Sequence, residues 1–170
     1  MFLKKVVEFL KPDLFVEKLS DVKIEELVNQ EVKGLILDVD NTLISRKSEK
    51  LSKDVLNWVS KAHRYFKIII LSNNSEEKIL RVATPLNIPY ISWTLKPLTI
   101  FYKIALLRLG LPANKVCVIG DQIFTDVLGG RLVGAKTIHV KPIKEEEDSG
   151  WTRFVRTFEK KLLKIWEIGI

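Results

Sequence analysis

Hydrophobic positions along the chain follow two patterns that alternate from one end to the other. Five short runs rich in Val, Ile and Leu are almost continuously apolar, at 33–39, 67–71, 88–93, 115–120 and 136–140. Such runs are typical of strands whose two faces are both covered. Between them, apolar residues recur at helical spacing, over 51–64, 75–86, 97–109 and 123–133. Strands that alternate with helices predict right-handed crossovers and therefore a parallel sheet.

Local signals place the ends of these helices. Ser52 and Ser75 stand where a helix cap is favoured, and Pro97 suits the first position of the third helix. Gly110 and Gly134 follow helices, where the left-handed closing residue is usually glycine. The expected fold class is α/β, a three-layer sandwich around a parallel, Rossmann-like sheet.

The two ends of the chain lie outside this alternation. Residues 1–31 predict one or two helices of mixed charge, and the charged run at 144–148 is expected to be an exposed linker. An amphipathic helix follows at 151–166. Its predicted apolar face carries Trp151, Phe154, Val155, Phe158, Leu162, Ile165 and Trp166, and its polar face carries Arg153, Arg156, Lys160 and Lys164. We expect one domain over 1–150, with the helix of 151–170 packed on it or at an interface.

The terminal helix allows two interpretations. Helices that lie in a membrane interface combine an aromatic face with flanking Arg and Lys in the same way. An apolar face also packs readily on its own domain or in a homo-oligomer, and this simpler interpretation is favoured. A peripheral membrane contact through 151–170 stays open.

Length and composition restrict the possible classes of protein. A chain of 170 residues suits one domain with a buried core, and no run of about 18 uncharged apolar residues predicts a membrane span. The one cysteine, Cys117, excludes an internal disulfide and fits a cytoplasmic location. The net charge of +7 favours an anionic partner or merely a soluble surface. No nucleic-acid-binding motif accompanies that charge.

The clearest chemical signal is the segment DVDNT at 38–42. Asp38 and Asp40 leave the sheet at the carboxyl end of the first predicted strand, where open α/β sheets bind ligands. A carboxylate there can attack phosphorus, and a second one can give and take a proton. Taken alone, the same residues also suit a turn or a helix cap.

Three further loops carry polar residues at the ends of strands. Ser72 and Asn73 suit phosphate oxygens, or a helix cap. Lys96 stands at a predicted helix start, where the dipole disfavours cations, so either a phosphoryl site or plain solvation explains it. Asp121 and Asp126 suit Mg²⁺, or an acidic helix start. Each of the four loops could be explained by a turn, a helix cap or solvation, but four such coincidences are less probable together than singly. The order of the loops therefore predicts one active site.

With these residues in order, the sequence resembles the haloacid dehalogenase-like (HAD) phosphatases. The segments DVDNT, SNN, Lys96-Pro97 and GDQIFTD match the four motifs of that family in order and spacing. The last motif and the short insertions are similar to subfamily IIIA, and the start of the chain resembles the YqeG-type phosphatases within it. The matching stretch covers residues 10–142.

The resemblance implies roles for individual residues. Asp38 would be the nucleophile and a Mg²⁺ ligand, and Asp40 the general acid and base whose backbone carbonyl also binds the metal. Asp121 would bind Mg²⁺ directly, and Asp126 would act through a bound water or by supporting the direct ligands. Lys96 would offset charge on the nucleophile and the substrate.

The remaining implied roles concern the substrate. Ser72 and the Asn73 backbone would hold the phosphoryl oxygens, and Thr42 would keep the first loop in shape beside them, with Lys96 completing the substrate-binding set. Asp40 distinguishes a phosphatase from the dehalogenases and ion pumps of the class, which lack an acid there. The short spacing of the motifs leaves no room for a large cap domain, which implies an open site.

The resemblance also suggests a substrate. YqeG-type proteins are similar to phosphatidylglycerophosphate phosphatases, so a phospholipid headgroup such as phosphatidylglycerophosphate is the leading expectation. Phosphatases of sugar phosphates or nucleotides are alternatives. A non-catalytic phosphate-binding or regulatory module with the same fold is the alternative from another class.

Overall fold

One parallel sheet organises the part of the chain that the computed structural model describes, residues 2–48 and 50–166. Its six strands are β1 Leu14–Val16, β2 Gly34–Leu37, β3 Lys67–Leu71, β4 Tyr90–Ile91, β5 Val116–Gly120 and β6 Lys136–Val140. They are arranged in the order β1-β6-β5-β2-β3-β4, with every pair parallel. The sequence prediction of a parallel α/β sheet is confirmed.

Strand β1 is the element that the sequence did not predict, since residues 1–31 were expected to be helical. The strand has three residues, all at least partly exposed, and it forms the edge of the sheet by pairing with β6. A segment this short carries too little periodicity to be recognised, and its pairing partner lies more than a hundred residues away.

Seven α-helices surround the sheet in the described residues. They are α1 Phe2–Phe9, α2 Ile24–Asn29, α3 Lys53–Ala62, α4 Glu76–Leu86, α5 Thr99–Leu109, α6 Leu128–Val133 and α7 Gly150–Ile165. A π-helical turn at Ile123–Val127 leads into α6, and 3-10 turns occur at Leu19–Asp21, Ala113–Lys115 and Glu145–Glu147. Among the described helices, none combines the length and the apolar character needed to cross a bilayer.

Alternation along the central strands divides the core into two layers. Leu35 and Leu37 of β2 face a cluster that includes side chains of α2, α3 and α4, whereas Ile36 faces a cluster built on α5. Successive strand residues point to opposite faces, so both faces of the sheet are covered. The result is the predicted three-layer sandwich, and α3 is the one helix between β2 and β3, with no cap domain in the described residues.

Helix ends match the sequence signals with one exception. The Ser52 hydroxyl accepts a hydrogen bond from the backbone N–H of Val55 (3.2 Å), and Gly110 closes α5 with a φ of 65°. The exception is Pro97, which was predicted to open α5. The Lys96–Pro97 bond is cis, and α5 begins only at Thr99 because Leu98 is not helical, with a ψ of 118°.

The terminal helix α7 buries a different face from the one that its apolar pattern predicts. Trp151, Phe154 and Phe158 are 74%, 54% and 45% exposed, while Arg156 and Glu159 are buried. Leu162 and Trp166 anchor the helix in a small cluster with residues of the π-helical turn and the segment after α1. The prediction that Arg156 faces solvent is therefore wrong. Its burial is possible because carboxylates surround it.

Candidate active site

The predicted motif residues meet at the carboxyl edge of the sheet. Asp38 directly follows β2 and extends the ladder, since its backbone N–H donates to the carbonyl oxygen of Ile119 (3.0 Å). Ser72 follows β3, Asp121 follows β5, and Lys96 lies in the loop between β4 and α5. In a parallel sheet these loops leave the same edge, where α/β proteins bind their ligands.

Lys96 is the centre of this arrangement. Its Nζ atom donates to Asp38 Oδ1 and to Asp126 Oδ1, each at 2.6 Å, and the side chain is buried. Burial alone would lower the pKa of Lys96, but the carboxylates of Asp126 and Asp38 raise it well above its ordinary value. The lysine therefore stays charged between two acids, as a buried ion pair requires.

Asp38, the predicted nucleophile, is almost fully buried beside the Lys96 ammonium. Burial raises the pKa of Asp38 to about 6, and the Lys96 ammonium opposes that rise. At neutral pH the carboxylate is thus mostly ionised, with one oxygen held by Lys96 and little water around it.

Three carboxylates form a group that suits a divalent cation. Asp38, Asp121 and Asp126 each offer one oxygen, and these oxygens lie within 4.8 Å of one another. Asp121 Oδ1 is buried without a hydrogen-bond partner among the described residues, which is costly for a charged oxygen unless a cation meets it. Carboxylate oxygens are the ligands that Mg²⁺ prefers, so the residues present fit that ion.

Asp40 stands apart from the three-acid group and is held by two cations. Lys78 Nζ contacts Asp40 Oδ1 at 2.5 Å, and Arg46 Nη1 lies 3.4 Å from Asp40 Oδ2. Lys78 also donates to the backbone oxygen of Arg46 (3.0 Å), which ties the start of α4 to the loop after β2. These contacts orient a carboxylate that can exchange a proton with a leaving group.

The loops after β3 and β4 are tied together by Asn73. Its side-chain oxygen accepts hydrogen bonds from the Lys96 backbone N–H (2.7 Å) and from the Thr94 hydroxyl (2.9 Å). The Ser72 hydroxyl accepts hydrogen bonds from the backbone and side chain of Asn74, which leaves its own proton available for a phosphate oxygen. Asn73 thus positions Lys96 through its side chain, in addition to the backbone role predicted for it.

Thr42 is buried in the first loop, but its hydroxyl has no partner among the described residues. The loop is closed instead by Asn41, whose φ is 59° and whose backbone N–H donates to the carbonyl oxygen of Ile44 (2.6 Å). Asparagine tolerates this left-handed conformation better than most residues.

Comparison with known proteins identifies the family. A model named Mitochondrial PGP phosphatase matches residues 2–81, and a HAD-hydrolase-like model matches residues 94–149. The chain is 35% identical over 157 residues to the probable phosphatase YqeG of Bacillus subtilis, which covers 92% of this chain and 91% of that protein. The chain belongs to the YqeG-type family of HAD-like phosphatases. The predictions of family and of enzyme class are thereby confirmed.

More distant relatives carry a more specific name. A chloroplastic and mitochondrial phosphatidylglycerophosphate phosphatase of Arabidopsis thaliana is 24% identical over 169 residues, covering 94% of this chain. The match covers 49% of the plant protein, so the chain spans about half of its length. A mitochondrial phosphatidylglycerophosphatase of Saccharomyces cerevisiae is 27% identical over 149 residues, 77% of each chain.

Solved structures support the fold. An uncharacterised protein of Listeria monocytogenes is similar with a TM-score of 0.55 and 18% identity, over 69% of this chain and 85% of that one. A HAD family enzyme of Bacteroides thetaiotaomicron, solved as a magnesium complex, is similar with a TM-score of 0.50 and 11% identity, over 74% of this chain and 99% of that one.

The C-terminal helix contributes a residue to this HAD-like site that the motifs do not include. Arg156 donates through Nη2 to Asp121 Oδ2 and through Nη1 to the Asp121 backbone oxygen (3.0 Å). Its Nε donates to Asp148 Oδ2, and Asp148 Oδ1 also accepts from Asn41 Nδ2 (2.9 Å) and Arg46 Nε (3.3 Å). Asp148, predicted to lie in an exposed linker, is instead buried at the centre of this network.

Sequence reasoning missed Lys78, Arg46, Asp148 and Arg156, but only Lys78 carried a usable signal. It lies in the first turn of α4, where the helix dipole disfavours a cation. The same argument singled out Lys96. Arg156 and Asp148 looked like ordinary surface charges, because a solvent-facing pattern and a buried ion pair have the same local sequence.

Proposed function

We propose that the protein is a Mg²⁺-dependent phosphomonoester hydrolase that works through an aspartyl-phosphate on Asp38. The observation that carries the proposal is the buried group of Asp38, Asp121 and Asp126 with Lys96 between two of its members. A phosphatase needs a nucleophile and concentrated positive charge at one point, and phosphoryl transfer depends mainly on such preorganised charge.

Each residue has a step in this mechanism. The Asp38 carboxylate attacks phosphorus, the bond from phosphorus to the leaving oxygen breaks, and Asp40 donates its proton to that oxygen. Asp40 then accepts a proton from the water that attacks the aspartyl-phosphate, which releases inorganic phosphate and restores Asp38. Lys78 and Arg46 hold Asp40 in place for both proton transfers.

Positive charge in the site must offset the repulsion between a phosphate dianion and the Asp38 carboxylate. Lys96 supplies one positive charge and contacts the nucleophile directly. Mg²⁺ held by Asp38, Asp121 and Asp126 would supply the rest and polarise the phosphoryl group. Ser72 would donate a hydrogen bond to a phosphoryl oxygen, since its proton is not used within the described residues.

Hydrolysis of p-nitrophenyl phosphate in the presence of Mg²⁺ tests the reaction. Asp38→Asn removes the nucleophilic oxygen while keeping the shape of the side chain, so turnover should vanish. Asp54→Asn on the exposed surface of α3 is the matched control and should retain wild-type activity. Borohydride reduction during turnover, followed by peptide mass spectrometry, should mark Asp38. Full activity of Asp38→Asn would refute the mechanism.

The proposed substrate is a phospholipid with a terminal phosphate, such as phosphatidylglycerophosphate. Two relatives bear that activity in their names, and no cap domain covers the site in the described residues, so a headgroup at a membrane surface can reach it. A panel of phosphatidylglycerophosphate, glucose 6-phosphate and AMP tests this choice. A higher kcat/KM for either soluble ester than for the lipid would contradict it.

The outer face of α7 supports a lipid surface as partner. Trp151, Phe154 and Phe158 form an exposed aromatic ridge, with ring centroids 5.8 Å apart for the first pair and 5.3 Å for the second. Lys161 lies 5.4 Å from the Phe158 ring centroid, so a cation borders the ridge. Aromatic side chains beside Lys are typical of helices that lie in an anionic membrane interface.

Sedimentation with vesicles of phosphatidylcholine and phosphatidylglycerol tests the docking. Trp151→Ser with Phe154→Ser should abolish binding, whereas Tyr65→Ser with Leu107→Ser, exposed elsewhere, should not. Point substitutions are preferable to deletion of 151–170, because a deletion also removes the buried Arg156. Equal sedimentation of the two double variants would exclude the ridge as the docking surface.

A further inference from the structure

A cationic cleft adjoins the catalytic edge of the sheet. It has a volume of about 320 Å³ and lies between the loop that follows β2 and the first two turns of α4. Among the described residues, four cations line it, namely Arg46, Lys47, Lys78 and Arg81, together with one carboxylate, that of Glu77. Arg46 and Lys78 also form ion pairs with Asp40. Asp38, Asp121, Asp126 and Lys96 are not among the described residues that line this cleft.

The cleft and the catalytic site share a wall. Arg46 and Lys78 line the cleft, and both also contact the carboxylate of Asp40. A group bound in the cleft would therefore lie close to the substrate atoms that exchange a proton with Asp40.

The remaining cleft residues leave positive charge available. The Lys47 backbone N–H donates to Glu147 Oε2 (2.8 Å), which places the residue, while its side chain has no ion-pair partner within the described residues. Arg81 binds Glu77 through one terminal nitrogen (2.7 Å), so the one acid among the described lining residues is paired. Ser75 caps α4 without a side-chain hydrogen bond to the helix, which leaves a hydroxyl at the wall.

We propose that this cleft is a second anion subsite, which binds a phosphodiester a few atoms away from the phosphomonoester that is hydrolysed. The inference rests on the proposed function and adds a preference for substrates that carry a phosphodiester beside the phosphomonoester. Arg and Lys at an open cleft recognise phosphate oxygens through charge-assisted hydrogen bonds. A phosphodiester keeps one negative charge at every physiological pH, which matches a cleft whose excess charge is positive.

Two water-soluble substrates separate this subsite from the catalytic site and from contacts with acyl chains. Glycerophosphoglycerophosphate carries a phosphodiester and a terminal phosphomonoester without acyl chains, whereas p-nitrophenyl phosphate carries the monoester alone. The test variant is Lys47→Ala with Arg81→Ala, since neither residue touches Asp38, Asp40 or Lys96 in the contacts described above. The control is Lys61→Ala with Arg64→Ala, which removes the same charge from the exposed end of α3.

The test variant should lose at least about tenfold in kcat/KM for glycerophosphoglycerophosphate, mainly through a higher KM, because it loses charge-assisted contacts to the bound anion. Its kcat/KM for p-nitrophenyl phosphate should stay within about twofold of wild type, because the reacting groups are unchanged. The control should match wild type on both substrates. The same loss of kcat/KM for phosphatidylglycerophosphate itself would show that the subsite also binds the phosphodiester of the lipid.

The alternative outcomes are distinct. Equal losses on both soluble substrates, or no loss on either, would overturn the subsite while the phosphatase activity stands. Wild-type enzyme that hydrolyses p-nitrophenyl phosphate but not glycerophosphoglycerophosphate would do the same. Hydrolysis of neither substrate would overturn the proposed function and the subsite with it.

Discussion

Replacement of Arg156 should destabilise the protein strongly, although the residue lies outside every motif. The residue is only 4% exposed, and its guanidinium donates to the carboxyl groups of Asp121, Asp148 and Glu159. Arg156→Met keeps the length and apolar stem of the side chain but removes the charge. The variant therefore leaves buried acids without their cation.

The expected size of the effect follows from that burial. Removing one partner of a buried ion pair costs about 3–5 kcal/mol, since the remaining charge is left desolvated. The free energy of unfolding of a domain is about 5–15 kcal/mol, so this loss removes between about a fifth and all of the wild-type stability. Arg156→Lys should recover only part of the loss, because an ammonium cannot reproduce a planar fork that contacts Asp121 and Asp148 together.

Urea unfolding followed by circular dichroism, in EDTA, measures the change in the free energy of unfolding. Arg153→Met, one turn earlier and exposed, is the control and should change stability by less than about 0.5 kcal/mol. Added Mg²⁺ should stabilise Arg156→Met more than wild type, since a cation at Asp121 replaces part of the missing charge. A loss below about 1 kcal/mol for Arg156→Met would refute the network as a source of stability.

Three further outcomes are expected. Gly120→Ala should abolish activity, because a Cβ there would lie 2.2 Å from Asp126 Cγ and displace that carboxylate; Gly150→Ala, with no atom within 4 Å of its Cβ, should be neutral in the same assay. Burial raises the pKa of Glu159 to about 7 from 4.5, so the folded state holds a proton that the unfolded chain releases between these values. Between pH 4.5 and 7 in EDTA, the free energy of unfolding of wild type should thus fall by up to about 3 kcal/mol relative to that of Glu159→Gln. If urea unfolding shows the same pH dependence for both proteins, the assignment is contradicted. Mg²⁺ should raise the melting temperature of wild type but hardly that of Asp121→Asn, and equal shifts in thermal unfolding would remove Asp121 from the metal site.

The central sheet could be predicted from sequence because its signal is local. Continuous apolar runs such as Lys67–Leu71 and Lys136–Val140 are strands in the structure with the same bounds. The signals that mark the helix ends were also local, since Ser52 and Gly110 act through neighbouring backbone groups. The edge strand β1 could not be predicted, because three partly exposed residues become a strand only by pairing with β6.

The motif residues of the site were recognisable for a related reason. Once the strands are parallel, the loops after β2, β3 and β5 must leave one edge, so Asp38, Ser72 and Asp121 are brought together by topology alone. Lys96 was singled out because Pro97 was expected to open a helix. It lies at the same edge, beside Asp38, although α5 begins only at Thr99. The sequence by itself therefore determined the fold class, the edge that carries the chemistry and the acids at that edge.

Only the tertiary structure decided which charges surround those acids. Arg156 reaches Asp121 across 35 positions and Asp148 reaches Asn41 across 107, and no pattern along the chain marks such pairs. Amphipathic periodicity assigns an arginine to solvent, since burying a charge is normally costly. That assignment reverses when the fold places carboxylates opposite it, because the cost then depends on long-range neighbours and not on the helix itself.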